Sequence, residues 1–237
     1  MKTFTILSVL LATALAAPPP PGPPGLSKPG KGNGKPAKYD AKPPSPPPPP
    51  QPRCPANSVQ PDGKLPKGAI STSALVPIAA SSPNTPFPSV EWAIVTPNDI
   101  CTIFNLQLDS DATQGKICNL VFDFPDTDRG LYTFHGDGHF TFTGYAINAG
   151  AVPGQTTYNK QPAPGPSPPN PPPTLTPGHS YIINASPCGI PPGIGPVTVS
   201  GALCSKDSVL SFKQSNGQCP MGFYVVLTDD PSAQISS

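Results

Sequence analysis

The stretch Thr96–Phe124, TPNDICTIFNLQLDSDATQGKICNLVFDF, decides the fold class. Two apolar runs, Ile100–Leu108 and Lys116–Phe124, flank a polar break that ends in Gly115. In the first run Ile100, Phe104, Leu106 and Leu108 share one parity, and in the second Cys118, Leu120, Phe122 and Phe124 do. Successive side chains of a strand point to opposite faces of a sheet, so period-two apolar spacing marks half-buried strands. The Gly-terminated break predicts a turn, and the simplest arrangement of the pair is a hairpin.

Downstream the same pattern recurs. Leu131–Phe134 and His139–Tyr145 alternate aromatic and polar residues around His135-Gly-Asp-Gly-His139, which predicts a tight hairpin because Asp-Gly supplies positive φ. Thr156–Asn159, His179–Ala185, Val197–Leu203, Val209–Phe212 and Gly222–Leu227 complete the strands, with Gly/Pro clusters between them. Upstream, Val90–Thr96 is a short strand carrying the only tryptophan, Trp92. Ile70–Ala80 is apolar but interrupted by Pro77, which demotes it to an edge strand or an irregular segment. No helical stripe competes. Short strands at this spacing predict an all-β, antiparallel β-sandwich over 89–237, an irregular leader over 54–88, and a surface loop over 161–173, where eight of thirteen residues are proline.

The first 53 residues differ in kind. Lys2, the apolar Phe4–Ala14 and Ala14-Leu15-Ala16 have the form of a signal peptide, 1–16, too short to span a bilayer, which takes about 20 residues. Residues 17–53 hold sixteen prolines, six basic residues and one acid, with almost nothing to bury, and predict a disordered Pro/Gly/Lys-rich arm. The remainder carries seven basic and twelve acidic residues, so a basic arm is joined to an acidic domain. No later segment is a membrane helix, and DDPSAQISS lacks the apolar tail of a GPI signal. The expected location is secreted, extracellular or cell wall.

Export makes disulfides the default for the six cysteines, Cys54, Cys101, Cys118, Cys188, Cys204 and Cys219. Spacing alone does not choose among the fifteen pairings possible for six cysteines. A symmetric hairpin would separate Cys101 from Cys118 by more than the roughly 7 Å reach of a disulfide, and so excludes that pair.

Candidate chemistry is sparse. His135-x-Asp137-x-His139 supplies metal-ligand types, but the glycines between them favour a turn that would splay the set. Asp109 and Asp111, Asp126 and Asp128, and Asp229 and Asp230 could in principle serve glycoside hydrolysis or calcium binding, yet Asp is common in turns for its own reasons. No nucleophile elbow or phosphate-binding glycine loop occurs. Asn184-Ala185-Ser186 is an N-glycosylation sequon. Trp92 is a packing residue or, in the sharper reading, a sugar-stacking one, with Tyr132, Tyr145 and Tyr158 as further exposed candidates. The sequence calls for no cofactor, no nucleic acid and no membrane anchor.

TPNDICTIFNLQL, GKICNLVFDFP, YTFHGDGHFTFTG, TTYN, LTPGHSYIINASPC and the closing MGFYVVL, taken in order over about Ser89–Leu227, resemble the ubiquitin-three-binding protein But-two C-terminal domain of ascomycete fungi. The resemblance implies a secreted or surface β-sandwich-like domain without established catalytic residues. It also implies a Cys118–Cys188 bond, since such domains usually carry cysteine at those positions; the preferred set is then completed by Cys204–Cys219 and Cys54–Cys101. Cys101, Cys204, Cys219 and the expanded 161–173 loop depart from the family pattern. The family name implies a ubiquitin-pathway partner, which a signal peptide would leave across a membrane. The function expected is a secreted, non-catalytic, wall-associated or extracellular protein with a structural or interaction role. The alternatives are a carbohydrate-binding or host-facing effector module, with wall polysaccharide or a host surface as partner, and a metal-dependent enzyme built on His135, Asp137, His139 or His179.

Overall fold

Alternating apolar residues become strands throughout the part of the chain that the structure, a computed structural model, describes: residues 54–166 and 169–233. The expected signal, 1–16, and arm, 17–53, lie outside the described residues. The strands are β1 (Ile70–Ala79), β2 (Trp92–Val95), β3 (Ile100–Asp109), β4 (Lys116–Phe124), β5 (Tyr132–His135), β6 (Phe140–Gly144), β7 (His179–Pro187), β8 (Pro196–Ser205), β9 (Val209–Lys213) and β10 (Gly222–Asp229). Pairing is antiparallel, in a seven-stranded sheet of order β6-β8-β3-β1-β10-β4-β7 and a three-stranded sheet of order β2-β9-β5.

The large sheet is folded over on itself. Phe142 of β6 and Phe223 of β10 are four places apart in its order, about 19 Å in a flat sheet at ~4.8 Å per strand, yet their rings lie 6.0 Å apart. Phe104 of β3 stacks on Phe223 at 4.0 Å. β1 makes the fold: Ile70 and Ser71 pair with β10, the register shifts between Thr72 and Ala74, and the rest of the strand pairs with β3. The result is a sandwich of β6-β8-β3 against β10-β4-β7. Leu210 and Phe212 of the small sheet join the same core as Phe104, Phe122, Phe124 and Phe223.

Four expectations are corrected by this topology. β3 and β4 do not form a hairpin: β1 and β10 stand between them. β5 and β6 do not either, since β5 pairs with β9 and β6 with β8 in the other sheet. Thr156–Asn159 is a turn closed by a Thr157–Lys160 bridge. Finally, 54–88 is no irregular leader, because β1 joins both layers of the sandwich. Its Pro77 is tolerated for a local reason. Leu75 directs its N–H to the Ser89 hydroxyl and its C=O to the Val90 N–H, away from β3. Pro77, two residues on, shares that orientation, so its missing N–H falls on the margin where β10 has already left β1.

Disulfides join Cys54 to Cys219, Cys101 to Cys204, and Cys118 to Cys188. The third is the pair implied by the resemblance; the expected Cys54–Cys101 and Cys204–Cys219 bonds are replaced. The reason is register. Thr102 faces Leu203 across β3 and β8, which sets Cys101 opposite Cys204 with Cα atoms 4.6 Å apart. That juxtaposition depends on pairing strands 103 residues apart in the chain.

Candidate functional site

β5 and β6 are one bent ribbon, and so are β8 and β9. His135 pairs with Val209 and Phe140 with Ser205, so both ribbons turn the same corner from the small sheet to the large one. Residues 136–139 of one ribbon lie against 206–208 of the other, an extra residue that lets the corner bend as a bulge does. The approach is close enough to require glycine. Gly136 and Gly138 have φ of 116° and 81°, and a Cβ on either would lie 2.5 Å from a carbonyl oxygen, of Asp207 and Leu175 respectively.

Buried Ser208 locks the two turns together. Its hydroxyl accepts the Gly138 N–H at 2.8 Å and donates to Asp207 Oδ1 at 2.7 Å. The Ser205 hydroxyl donates to the His139 carbonyl at 2.7 Å. On the exposed side of this corner, one ligand-type atom each from Asp137, His139 and Asp207 lie within 4.8 Å of one another. His139 Nδ1 is 2.7 Å from Asp207 Oδ2. The Ser208 hydroxyl, and after it His139, hold the Asp207 carboxyl below its usual pKa. Of the candidate residues His135, Asp137 and His139, the corner keeps the last two together and adds Asp207, not His135. His135 ends β5 as an exposed residue outside the cluster, and His179 stacks on Tyr181, also outside it.

A second feature is an apolar cleft of about 170 Å³ between the two layers, on the side where β6 and β7 are the terminal strands. Phe104, Leu106, Leu120, Phe142 and Val225 floor it, and Tyr145, Asn184 and Ser186 bring polar atoms to it. Burial pushes the Tyr145 phenol up to about 12, and its hydroxyl donates to Gln161 at 2.7 Å. Asn184, the sequon residue, is half-buried on β7 at this cleft. The proline-rich loop contributes here too. Gly165 N–H bonds the Gly144 carbonyl at 2.9 Å, and Pro169 borders the cleft.

The third feature is a buried carboxylate that the sequence did not single out. Asp123, 1% exposed, accepts hydrogen bonds from Gln60 Nε2 at 3.1 Å and from the Ser180 hydroxyl. Asn57 donates to Gln60 Oε1 and to Ser180, so the network ties the segment behind Cys54 to β4 and β7. Burial raises the Asp123 carboxyl to about 6. Its only visible signal was a charge between two phenylalanines of an otherwise apolar run.

The other acidic residues shape turns. Asp109 accepts from the Asp111 and Ala112 N–H groups and Asp128 from Gly130, while Asp229 pairs with Lys116. Of the four candidate stacking aromatics, Tyr132 and Tyr145 are buried, correcting the expectation that they are exposed; Trp92 and Tyr158 are on the surface.

Fold and sites together define an all-β, disulfide-stapled sandwich domain with a polar cluster at a corner, a buried carboxylate network and an apolar cleft between its layers. The chain belongs to the Ubiquitin 3 binding protein But2 C-terminal domain family, whose model matches residues 73–218. The match begins within β1 and stops short of Cys219 and β10. It is not a known enzyme family. Comparison with curated proteins and with solved structures finds no match.

Proposed function

We propose that this is a secreted, non-catalytic fungal protein, wall-associated or free in the medium, with a structural or interaction role. The observation that carries this is the engagement of all six cysteines in three disulfides, with none free. Such bonds form and persist in oxidising compartments and are rare in the cytosol. The signal-like start, Lys2 with Phe4–Ala14, supports the same reading. The family description names binding to ubiquitin 3, a partner that an exported chain would not meet, so it is not carried to this protein. Fractionating a culture that expresses an epitope-tagged chain tests the proposal. The expected result is thiol-free protein in the medium or the wall fraction; retention in the cytosol with titratable thiols overturns it.

Carbohydrate binding is the second reading, favoured by the exposed Trp92 on edge strand β2. Trp92 is directly opposite Lys213, which holds Glu91 at 3.1 Å, so an aromatic face stands beside a charged pair. A glycan array comparing the natural chain with Trp92→Ala tests it; no binding by either removes this reading.

A further inference from the structure

The corner between the two bent ribbons places a nitrogen ligand and two oxygen ligands around a common point. We propose that Asp137, His139 and Asp207 bind one divalent cation of borderline hardness, Zn²⁺ being the reference ion. The cation takes the place of the proton shared by His139 Nδ1 and Asp207 Oδ2, and water completes its coordination.

The geometry is near that of an occupied site. Ligand atoms about 2.0–2.1 Å from zinc in a tetrahedron are roughly 3.4 Å apart. The three donors already lie within 4.8 Å of one another, and all are exposed side chains with freedom to close that gap. Their chemistry selects the ion class. Calcium and magnesium take oxygen ligands and gain nothing from an imidazole, whereas His with carboxylates suits zinc and its transition-metal neighbours. Charge points the same way. Among the described residues the ion pairs are Lys116–Asp229, Lys213–Glu91 and His139–Asp207, so neither Asp137 nor Asp207 has a lysine or arginine partner. Two carboxylates thus lie within 4.8 Å of each other at this corner with no lysine or arginine paired to either.

The support behind the ligands is of the kind that orients a metal site. Ser208 holds Asp207 Oδ1 and leaves Oδ2 for the ion. The Ser205 hydroxyl, bonded to the His139 carbonyl, fixes the backbone that carries the imidazole. Gly136, where a Cβ would lie 2.5 Å from the Asp207 carbonyl oxygen, keeps the ribbons in the close contact that brings Asp207 beside the other two.

The experiment is isothermal titration of Zn²⁺, and separately of Ca²⁺, into the purified, oxidised full chain with its affinity tag removed, in a non-chelating buffer at pH 7.5. Saturable one-to-one zinc binding is expected, weakened at least tenfold by His139→Ala and by Asp137→Asn and unchanged by His135→Ala. Thermal melting of each variant without metal confirms that the fold is kept; the exposed His139 ring makes His139→Ala the safest. No saturable zinc binding, equal binding by His139→Ala, or loss on His135→Ala overturns the proposal. Calcium binding without zinc binding overturns the role given to the imidazole.

Discussion

Replacing Asp123 by Asn should make the fold more stable at neutral pH and remove a step from its pH dependence. The carboxyl sits near 3.8 when solvated and is raised to about 6 in the fold by burial. The native state therefore binds this proton more tightly than the unfolded chain does. Stability from this group is fully present below about 3.8 and is lost as pH rises through about 6. A shift of about 2 units at 1.36 kcal/mol each is an upper bound of about 3 kcal/mol. For a domain of this size that is roughly 6–12 °C in melting temperature.

Asparagine fits without a new orphan. Its carbonyl accepts from Gln60, its amide donates to the Ser180 oxygen, and Ser180 donates to Gln60 Oε1, 3.0 Å away. Guanidinium unfolding of both proteins at intervals from pH 4 to 7.5, disulfides intact, measures the difference. The carboxyls of Asp99, Asp207 and Asp230 are held below their usual values by Ser81, Ser208 and Ser232, and give slopes of opposite sign. They are common to both proteins and cancel. The two stability curves should draw together toward pH 4 and separate between about pH 4 and pH 6, with Asp123→Asn the higher. Parallel curves, or a variant less stable at pH 7, would refute the account of a neutralised buried carboxyl.

Removing the Cys101–Cys204 bond with paired alanines opens a loop of 103 residues, which the chain-entropy model values at about 4.7 kcal/mol; denaturant unfolding reads the loss. Gly138→Ala must hold a left-handed backbone at a cost of about 1–2 kcal/mol and place a Cβ 2.5 Å from the Leu175 carbonyl oxygen, so its melting temperature should fall by several degrees. A melt identical to that of the natural chain would show that the corner is looser than described.

How much of this was legible depended on whether the deciding contact was local. Parity along each segment located β2 to β10 within a residue or two, because which side chains alternate is a property of the segment itself. Partnership was not local. The DSDATQG break and the HGDGH turn both look like hairpin loops, yet one leads between strands separated by β1 and β10 and the other around a corner between sheets. Cys101 met Cys204 only through the β3–β8 register. Asp207 was invisible as a ligand for the same reason: HGDGH displays its own histidines and aspartate, while the third donor comes from a turn about seventy residues away. Pro77 misled in the other direction. It does sit at an edge, but of a strand that changes partners midway, a state that composition does not encode.

The cysteine pairing has a consequence for how the chain is made. The bonds are nested: Cys118–Cys188 lies inside Cys101–Cys204, which lies inside Cys54–Cys219. During synthesis, Cys54, Cys101 and Cys118 all emerge before any native partner exists, and the partners then arrive in reverse order. At about 5–20 residues per second, Cys101 waits roughly 5–20 s for Cys204, in an oxidising lumen on the proposed export route. Any bond among the first three cysteines is non-native and must be undone by exchange with a later thiol. Yield in the cell is then set by isomerase capacity during that interval, and a chain quite stable once finished can still be costly to finish.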